Sequence, residues 1–418
     1  MTPSPRTRKK HKAGFIASKT FFTASQGVVL IAIARFEGAA EVGLYALAVA
    51  ITSPIFLLTN LRVQDVLATD AVADTQWRTY LRVTAAVNAV GLVLSLLVAL
   101  FWPTTEVLGV VIPLALAKWV EAVSFACHGY AQSQGRIDRV AGATAVRGLL
   151  AAATCVLGLA IADLPTALWL MFGVWLAQLL VYDLRFLPWR SARATGVPSL
   201  PIFARLLPLG IAAALLSLNQ HAIRLVVDGR VGIVALGVFA TVAYTVRLGA
   251  VIARAASQAS AAELRSAQVS GSEREVWEAI KRPTLVVGTV GLVLGAVMVL
   301  VGPTLFPLAF GPQVSPERPL LALVMTAGLF VYTNTTLTMA VVAKGQHAQQ
   351  MLIVGSTLVV SLLLAIVLTG PWGLLGASAA WIVGESLRTV GLILILRPRT
   401  SASAMTMQGP STEQEGPS

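Results

Sequence analysis

Gly43 to Asp70 reads GLYALAVAITSPIFLLTNLRVQDVLATD, and its first eighteen residues, Gly43 to Asn60, carry no charge. An apolar run of this length crosses the ~30 Å hydrocarbon layer of a bilayer as a helix. Pro54 removes one backbone hydrogen bond, which a membrane helix tolerates when polar side chains re-satisfy the freed carbonyl. Thr52 and Ser53 stand beside it and are expected to do so. Arg62, Gln64, Asp65 and Asp70 follow, so the stretch is one span and its landing on a membrane surface.

The rest of the chain has the same character. Of 418 residues 56% are hydrophobic and 12% charged, with a mean hydropathy of +0.78. Soluble domains carry about a quarter charged residues, so a chain this poor in charge cannot cover a water-facing surface. The formal net charge is +12, from 31 Lys+Arg against 19 Asp+Glu. These cations are scattered among short connections, which excludes the single basic stripe of a nucleic-acid binder. Cys127 and Cys155 lack CxxC partners, and with four scattered histidines no metal-ligand spacing arises. Neither a disulfide nor a metal or other cofactor is expected. The basic N-terminus leads into an apolar run, Phe15 to Ala34, too long for a cleaved signal and read as a retained first span.

Run lengths predict twelve spans: 15–34, 42–60, 82–101, 106–126, 141–161, 165–186, 203–225, 232–253, 283–302, 319–341, 350–369 and 372–396. Ser272-Glu273-Arg274-Glu275 has the capping-box pattern and predicts a short surface helix through Trp277 and Lys281. If the N-terminus is cytoplasmic, 23 basic residues fall on that side, Arg147 among them, against 4 on the other: Arg35, Arg224, Arg230 and Arg318. Cytoplasmic loops collect Lys and Arg, so both termini are expected inside. Gly43-Leu-Tyr-Ala recurs as Gly237-Val-Phe-Ala, and Gln26 matches Gln220 at the same offset. Such repeats mark transporters built from two halves. The expected organisation is an N-terminal six-helix lobe over 1–187, a linker over 188–201, a C-terminal six-helix lobe over 202–399 and a disordered tail over 400–418.

Three stretches carry a family resemblance: Gly43–Asp70; Ser217 to Tyr244 (SLNQHAIRLVVDGRVGIVALGVFATVAY) with ASQASAAEL ending at Leu264; and Val341–Leu387, with AKGQ at Ala343 to Gln346 and GLLGASAAWIVGESL from Gly373. They resemble the polysaccharide-biosynthesis, O-antigen-flippase-like translocases of the multidrug/oligosaccharidyl-lipid/polysaccharide (MOP) exporter superfamily. The resemblance implies an all-α integral membrane protein, two six-helix lobes around a central cleft, and a lipid-linked oligosaccharide as cargo. It sets the spans starting at 15, 42, 203 and 232 along that cleft. These motifs are hydrophobic and specify the fold better than the cargo.

Polar groups in hydrocarbon are costly and turn toward protein or a wet cavity. On the cleft spans the candidates for substrate binding are Lys19, Gln26, Asn219, Gln220, Arg224, Tyr244 and Arg247. Isolated Ser and Thr more often bond to their own helix. Lys118 and Glu121, and again Glu385 and Arg388, stand three residues apart on one helix face. Each is a candidate coupling pair or a self-neutralising structural one. Asp228, four residues beyond Arg224, is a potential partner that would cancel its charge. The spans over 82–101 and 283–302 carry no deep charge and are expected to face lipid. On the latter, Gly288, Gly291 and Gly295 form a side for close helix approach.

No phosphate-cradling glycine loop, GxSxG or HExxH motif is present. By the resemblance, the expected function is that of a flippase for an undecaprenyl-diphosphate glycan, multi-pass in a bacterial inner membrane. Its partners would be that glycan lipid, the surrounding lipids, and polymerase or glycosyltransferase machinery, with no nucleic acid. A multidrug or organic-cation antiporter of the same superfamily is the first alternative, and a membrane glycosyltransferase or polymerase the second.

Overall fold

The computed structural model describes residues 5–69, 73–104, 106–189, 199–259 and 273–397. The tail over 400–418 and most of the 188–201 linker lie outside them. The described chain is helical, as a lipid-exposed backbone must be when no water is available to its N–H and C=O groups. In order, the helices are α1 (Pro5–Phe36), α2 (Ala39–Thr59), the short α3 (Val63–Thr69), α4 (Ala73–Leu100), α5 (Glu106–Ser133), α6 (Ile137–Ile161), α7 (Leu164–Val181), α8 (Ser199–Val231), α9 (Ile233–Ala259), α10 (Glu273–Phe310), α11 (Arg318–Ala343) and α12 (His347–Leu396).

Eleven of the described helices are long and apolar enough to span. The last makes the twelfth, because α12 is two helices. Gly373 (φ 55°, ψ −134°) breaks it just after Pro371. Only glycine enters that backbone region without strain. The halves, α12a (347–372) and α12b (374–396), fold back on each other so closely that a Cβ on Gly384 would strike Ser361 and one on Gly376 the Leu368 carbonyl.

The helices form two six-span lobes with a cleft between them. In the first, α1 packs on α6, α6 on α7, and α5 on α2, α4 and α7; in the second, α11 packs on α10, α12 and α9. Between lobes, α2 is the hinge of contacts, touching both α8 and α9. We call the side on which α1 begins the N-terminal face.

Two expectations about the surface change. Among the described residues Trp277 and Lys281 belong to the ninth span itself: α10 runs unbroken from Glu273 across Pro283 to Phe310, and Ser272 lies outside the described residues. The connection after it shrinks accordingly to Gly311–Glu317. As anticipated, α4 and α10 present wide apolar surfaces, including Val90, Val93, Leu292 and Val293, each more than half exposed. Gly291 and Gly295 of α10 do admit α11, at Tyr332 and Met325, but Gly288 faces open space. The polar exception on α4, Asn88, is turned inward, where its amide donates to Thr59 O at 3.1 Å and accepts from Thr59 Oγ1 at 3.0 Å.

Around Pro54 the hydroxyls act differently from the expectation. Thr52 Oγ1 donates to Ala48 O at 2.7 Å, and Ser53 Oγ accepts from Lys118 Nζ at 3.3 Å. Ser53 is thereby spent on α5, not on its own helix.

Candidate functional site

A cavity of about 470 Å³ lies between the lobes. Its lining runs from Leu30 and Ala240, deep in the bundle, to Asn60 and Arg62 at the N-terminal face. Toward the opposite face the lobes are sealed. There α2 crosses α9 at a glycine on each helix, Gly43 against the Ile233 carbonyl and Gly237 against the Ala39 carbonyl. Beside this crossing the Arg35 guanidinium donates to the carbonyls of Leu308 and Ala309, tying α1 to α10. The cleft is thus closed on the face opposite the N-terminus.

Most of the candidates from the sequence share this cavity. Gln26, Gln220, Arg224, Tyr244 and Arg247 line it, together with Lys118 and Glu121. The lining is contributed by both lobes: Lys118, Glu121 and Phe125 from α5 and Met171 and Trp175 from α7 on one side, and residues of α8 and α9 on the other. Asn219, buried on α8 with its Nδ2 unpartnered, does not line it. Lys19 also stands outside the lining; its ammonium lies 4.6 Å from the Phe15 ring centre. It sits within electrostatic reach of Arg62, Asp65 and Arg254, in a charged group toward the N-terminal face.

The local charge pairings differ from what helix spacing suggests. Asp228, four residues from Arg224, accepts from Trp102 Nε1 at 3.0 Å. Among the described residues no carboxylate forms an ion pair with Arg224 or Arg247. Lys118 and Glu121 share a face and an electrostatic neighbourhood but no contact ion pair. Glu385 and Arg388, in contrast, belong to a buried knot between α11 and α12b. The Glu385 carboxylate accepts from Asn334 Nδ2 at 2.7 Å, lies 3.7 Å from Arg388, and the Thr389 hydroxyl closes onto Asn334 at 2.9 Å. That pair is remote from the cavity lining.

Hydroxyl-rich helix faces prove largely self-satisfied. Thr20, Thr23 and Thr241 each donate to the carbonyl four residues back, and Ser18, Ser25 and Thr245 to that three residues back. What remains for a ligand is a smaller set. Tyr45 donates to Gln26 at 3.4 Å, and Tyr244 donates across the lobes to Thr23 O. Among the described residues four lining side chains keep buried polar atoms without a hydrogen-bond partner: Asn60 Oδ1 at the mouth and, deeper, Trp175 Nε1, Ser217 Oγ and His221 Nδ1. Orphaned buried groups are rare enough in native proteins to mark a place where a partner arrives.

Trp175 was not among the sequence candidates, and it leads to a network the sequence also hid. Arg147, counted above as a topology charge, is 2% exposed and lies over the Trp175 ring at 5.6 Å. It donates to Asp183 Oδ2 at 2.8 Å, and Asp183 Oδ1 meets His128 Nε2 at 3.2 Å. This buried ion pair fixes one wall of the cavity from behind. Arg147 therefore leaves the topology tally.

At the mouth, Leu61 and Arg62 adopt left-handed backbone, φ 53° and 51°. For non-glycine residues this costs roughly 1–2 kcal/mol each. Leu61, fully buried with Ile202 and Leu206 of α8, holds the turn in place and delivers Arg62 to the cavity edge.

Comparison with solved structures places this architecture. A multidrug resistance MATE family transporter of the MOP superfamily, in an inward-facing conformation, superposes with a TM-score of 0.68 at 14% identity, covering 93% of this chain and 96% of that one. The lipid II flippase MurJ, in an inward closed conformation, gives a TM-score of 0.74 at 9% identity, covering 91% of this chain and 87% of MurJ. The chain has the fold of the MOP-superfamily transporters. In sequence, this MOP-fold chain is 22% identical over 379 residues to the capsular polysaccharide biosynthesis protein CapF of Staphylococcus aureus, across 84% of this chain and 89% of CapF. No family model matches it.

Proposed function

We propose that this protein is a translocase that carries a lipid-linked oligosaccharide, built on undecaprenyl diphosphate, across a bacterial inner membrane for polysaccharide biosynthesis. The observation that carries this reading is the charge in the cleft. Among the described residues Arg224 and Arg247 line a cavity without acidic partners, and the one lining carboxylate, Glu121, is balanced by Lys118. An uncancelled positive charge in a low-dielectric cleft selects an anion, and guanidinium matches phosphate oxygens in a bidentate fork. The likeness to a capsular polysaccharide biosynthesis protein and to a lipid II flippase supports the same cargo class.

In this reading the lobes comprise 1–187 and 202–399, both termini are cytoplasmic, and the N-terminal face is the loading side. Lys19, Arg62 and Arg254 attract the headgroup to the mouth, Gln26, Gln220 and Tyr244 supply further polar lining, and the lobes rock about the α2 contacts to expose the cavity on the other side. Polymerase and glycosyltransferase machinery would supply and consume the glycan lipid. An organic-cation antiporter on the same fold would want an unbalanced carboxylate in the cleft, and Glu121 with Lys118 beside it does not provide one.

The test is complementation of a flippase-null strain, scoring surface polysaccharide against membrane-inserted protein. Arg224→Ala and Arg247→Ala should abolish export, and Arg247→Lys should retain part of it. Full export by the double alanine variant would remove the anionic cargo and favour the antiporter.

A further inference from the structure

The two walls of the cavity differ in chemistry, and the difference follows the lobes. The wall from α8 and α9 contributes two guanidiniums, Arg224 and Arg247, each without an ion-pair partner among the described residues. The acid that could have cancelled Arg224, Asp228, is held by Trp102 at 3.0 Å. The same wall carries the unpartnered Ser217 Oγ and His221 Nδ1. A dense, doubly charged anion is the ligand for such a surface.

The wall from α5 and α7 has no net charge. Lys118 and Glu121 offset each other, Lys118 is tethered to Ser53 at 3.3 Å, and Phe125 supplies a half-buried aromatic surface. Trp175 adds an indole N–H without a partner, on a ring held from behind by Arg147 at 5.6 Å. A free carboxylate oxygen, an N–H donor and an aromatic surface are what an uncharged polyhydroxyl ring needs: acceptor, donor and an apolar face to stack on. A charged sugar would meet one member of the Lys118–Glu121 pair as a repulsive neighbour.

We infer that the cavity is divided by lobe, with the C-terminal lobe holding the diphosphate through Arg224 and Arg247 and the N-terminal lobe holding the first, uncharged sugar through Glu121 and Trp175. This rests on the translocase reading above. Its consequence is that only a headgroup bearing a sugar bridges both lobes; a bare lipid diphosphate engages one.

The experiment uses the full chain in lipid nanodiscs and two probes, undecaprenyl diphosphate and undecaprenyl-diphosphate-linked N-acetylglucosamine, with binding affinity as the readout. Wild type should bind the sugar-bearing lipid more tightly. Arg224→Gln and Arg247→Gln should weaken both probes by about tenfold or more, the scale of a lost charge-assisted hydrogen bond, and Arg247→Lys should recover part of that. Trp175→Phe should weaken the sugar-bearing lipid by several-fold while leaving the bare diphosphate unchanged, and Glu121→Gln, which also frees the Lys118 charge, should weaken the sugar-bearing lipid by several-fold relative to the bare diphosphate. Only variants with wild-type thermal midpoints and monodisperse elution are compared; Trp175→Phe keeps an aromatic ring while removing the N–H donor and part of the indole's surface. Equal losses on both probes from the Glu121 and Trp175 variants would overturn the division while leaving the translocase reading standing. Failure of wild type to bind either lipid would remove that reading and the division with it.

Discussion

Gly43 and Gly237, 194 residues apart in equivalent tetrapeptides, meet where α2 crosses α9: a Cβ on Gly237 would lie 3.1 Å from the Gly43 amide nitrogen. The atoms nearest each added Cβ are backbone carbonyls, which cannot swing aside as a side chain can. The seal on the face opposite the N-terminus therefore depends on two missing methyl groups.

Replacing either glycine should pry that seal open. Gly237→Val forces α2 and α9 apart at a cost of about 1–3 kcal/mol, the usual penalty of overpacking. A cysteine at Ala46, just inside the seal, should then react with an impermeant thiol reagent on intact cells, in a background with Cys127 and Cys155 replaced by alanine. Unchanged protection of Ala46→Cys in the Gly237→Val protein would show that the glycine crossing is not the seal.

The Arg147–Asp183 pair makes a second prediction. Both groups are essentially without solvent, so removing one strands the other charge, a loss of roughly 3–5 kcal/mol. Asp183→Leu and Arg147→Met should each lower the thermal midpoint of the detergent-solubilised protein strongly. The double variant Arg147→Met/Asp183→Leu should be more stable than either single one, because it buries no uncompensated charge. Simple additivity of the single losses would mean the pair does not act as a unit.

Orientation is checked by labelling. Ser315 lies exposed in the connection between α10 and α11 on the face opposite the N-terminus, and Lys344, half-buried, caps α11 on the N-terminal face. With cytoplasmic termini, Ser315→Cys should react on intact cells and Lys344→Cys only after permeabilisation. The reverse pattern would invert the topology, and equal reaction would contradict the span between them.

The sequence by itself determined the solvent and the spans. Length, hydropathy and the scarcity of charge demand a bilayer, and apolar run lengths mark each crossing, because a spanning helix must satisfy its backbone alone and bury enough apolar surface along its own length. Even the α12 hairpin was legible, since Gly370-Pro371 separates the spans over 350–369 and 372–396, although the break itself falls at Gly373. Which charges remain free was decided only in the folded bundle. Helix spacing offered Asp228 to Arg224, Glu121 to Lys118 and nothing to Arg147. The tertiary structure instead gives Asp228 to Trp102, Ser53 to Lys118 and Asp183, thirty-six residues away, to Arg147. Spacing along one helix says which side chains can meet; the rotation of that helix against its neighbours says which of them do, and a nearer donor from elsewhere in the chain takes the carboxylate first. For the same reason the repeat of Gly43 and Gly237 was readable as a pattern, whereas their contact, which closes the cleft and leaves Arg224 and Arg247 facing it unpaired, exists only once the two lobes are packed together.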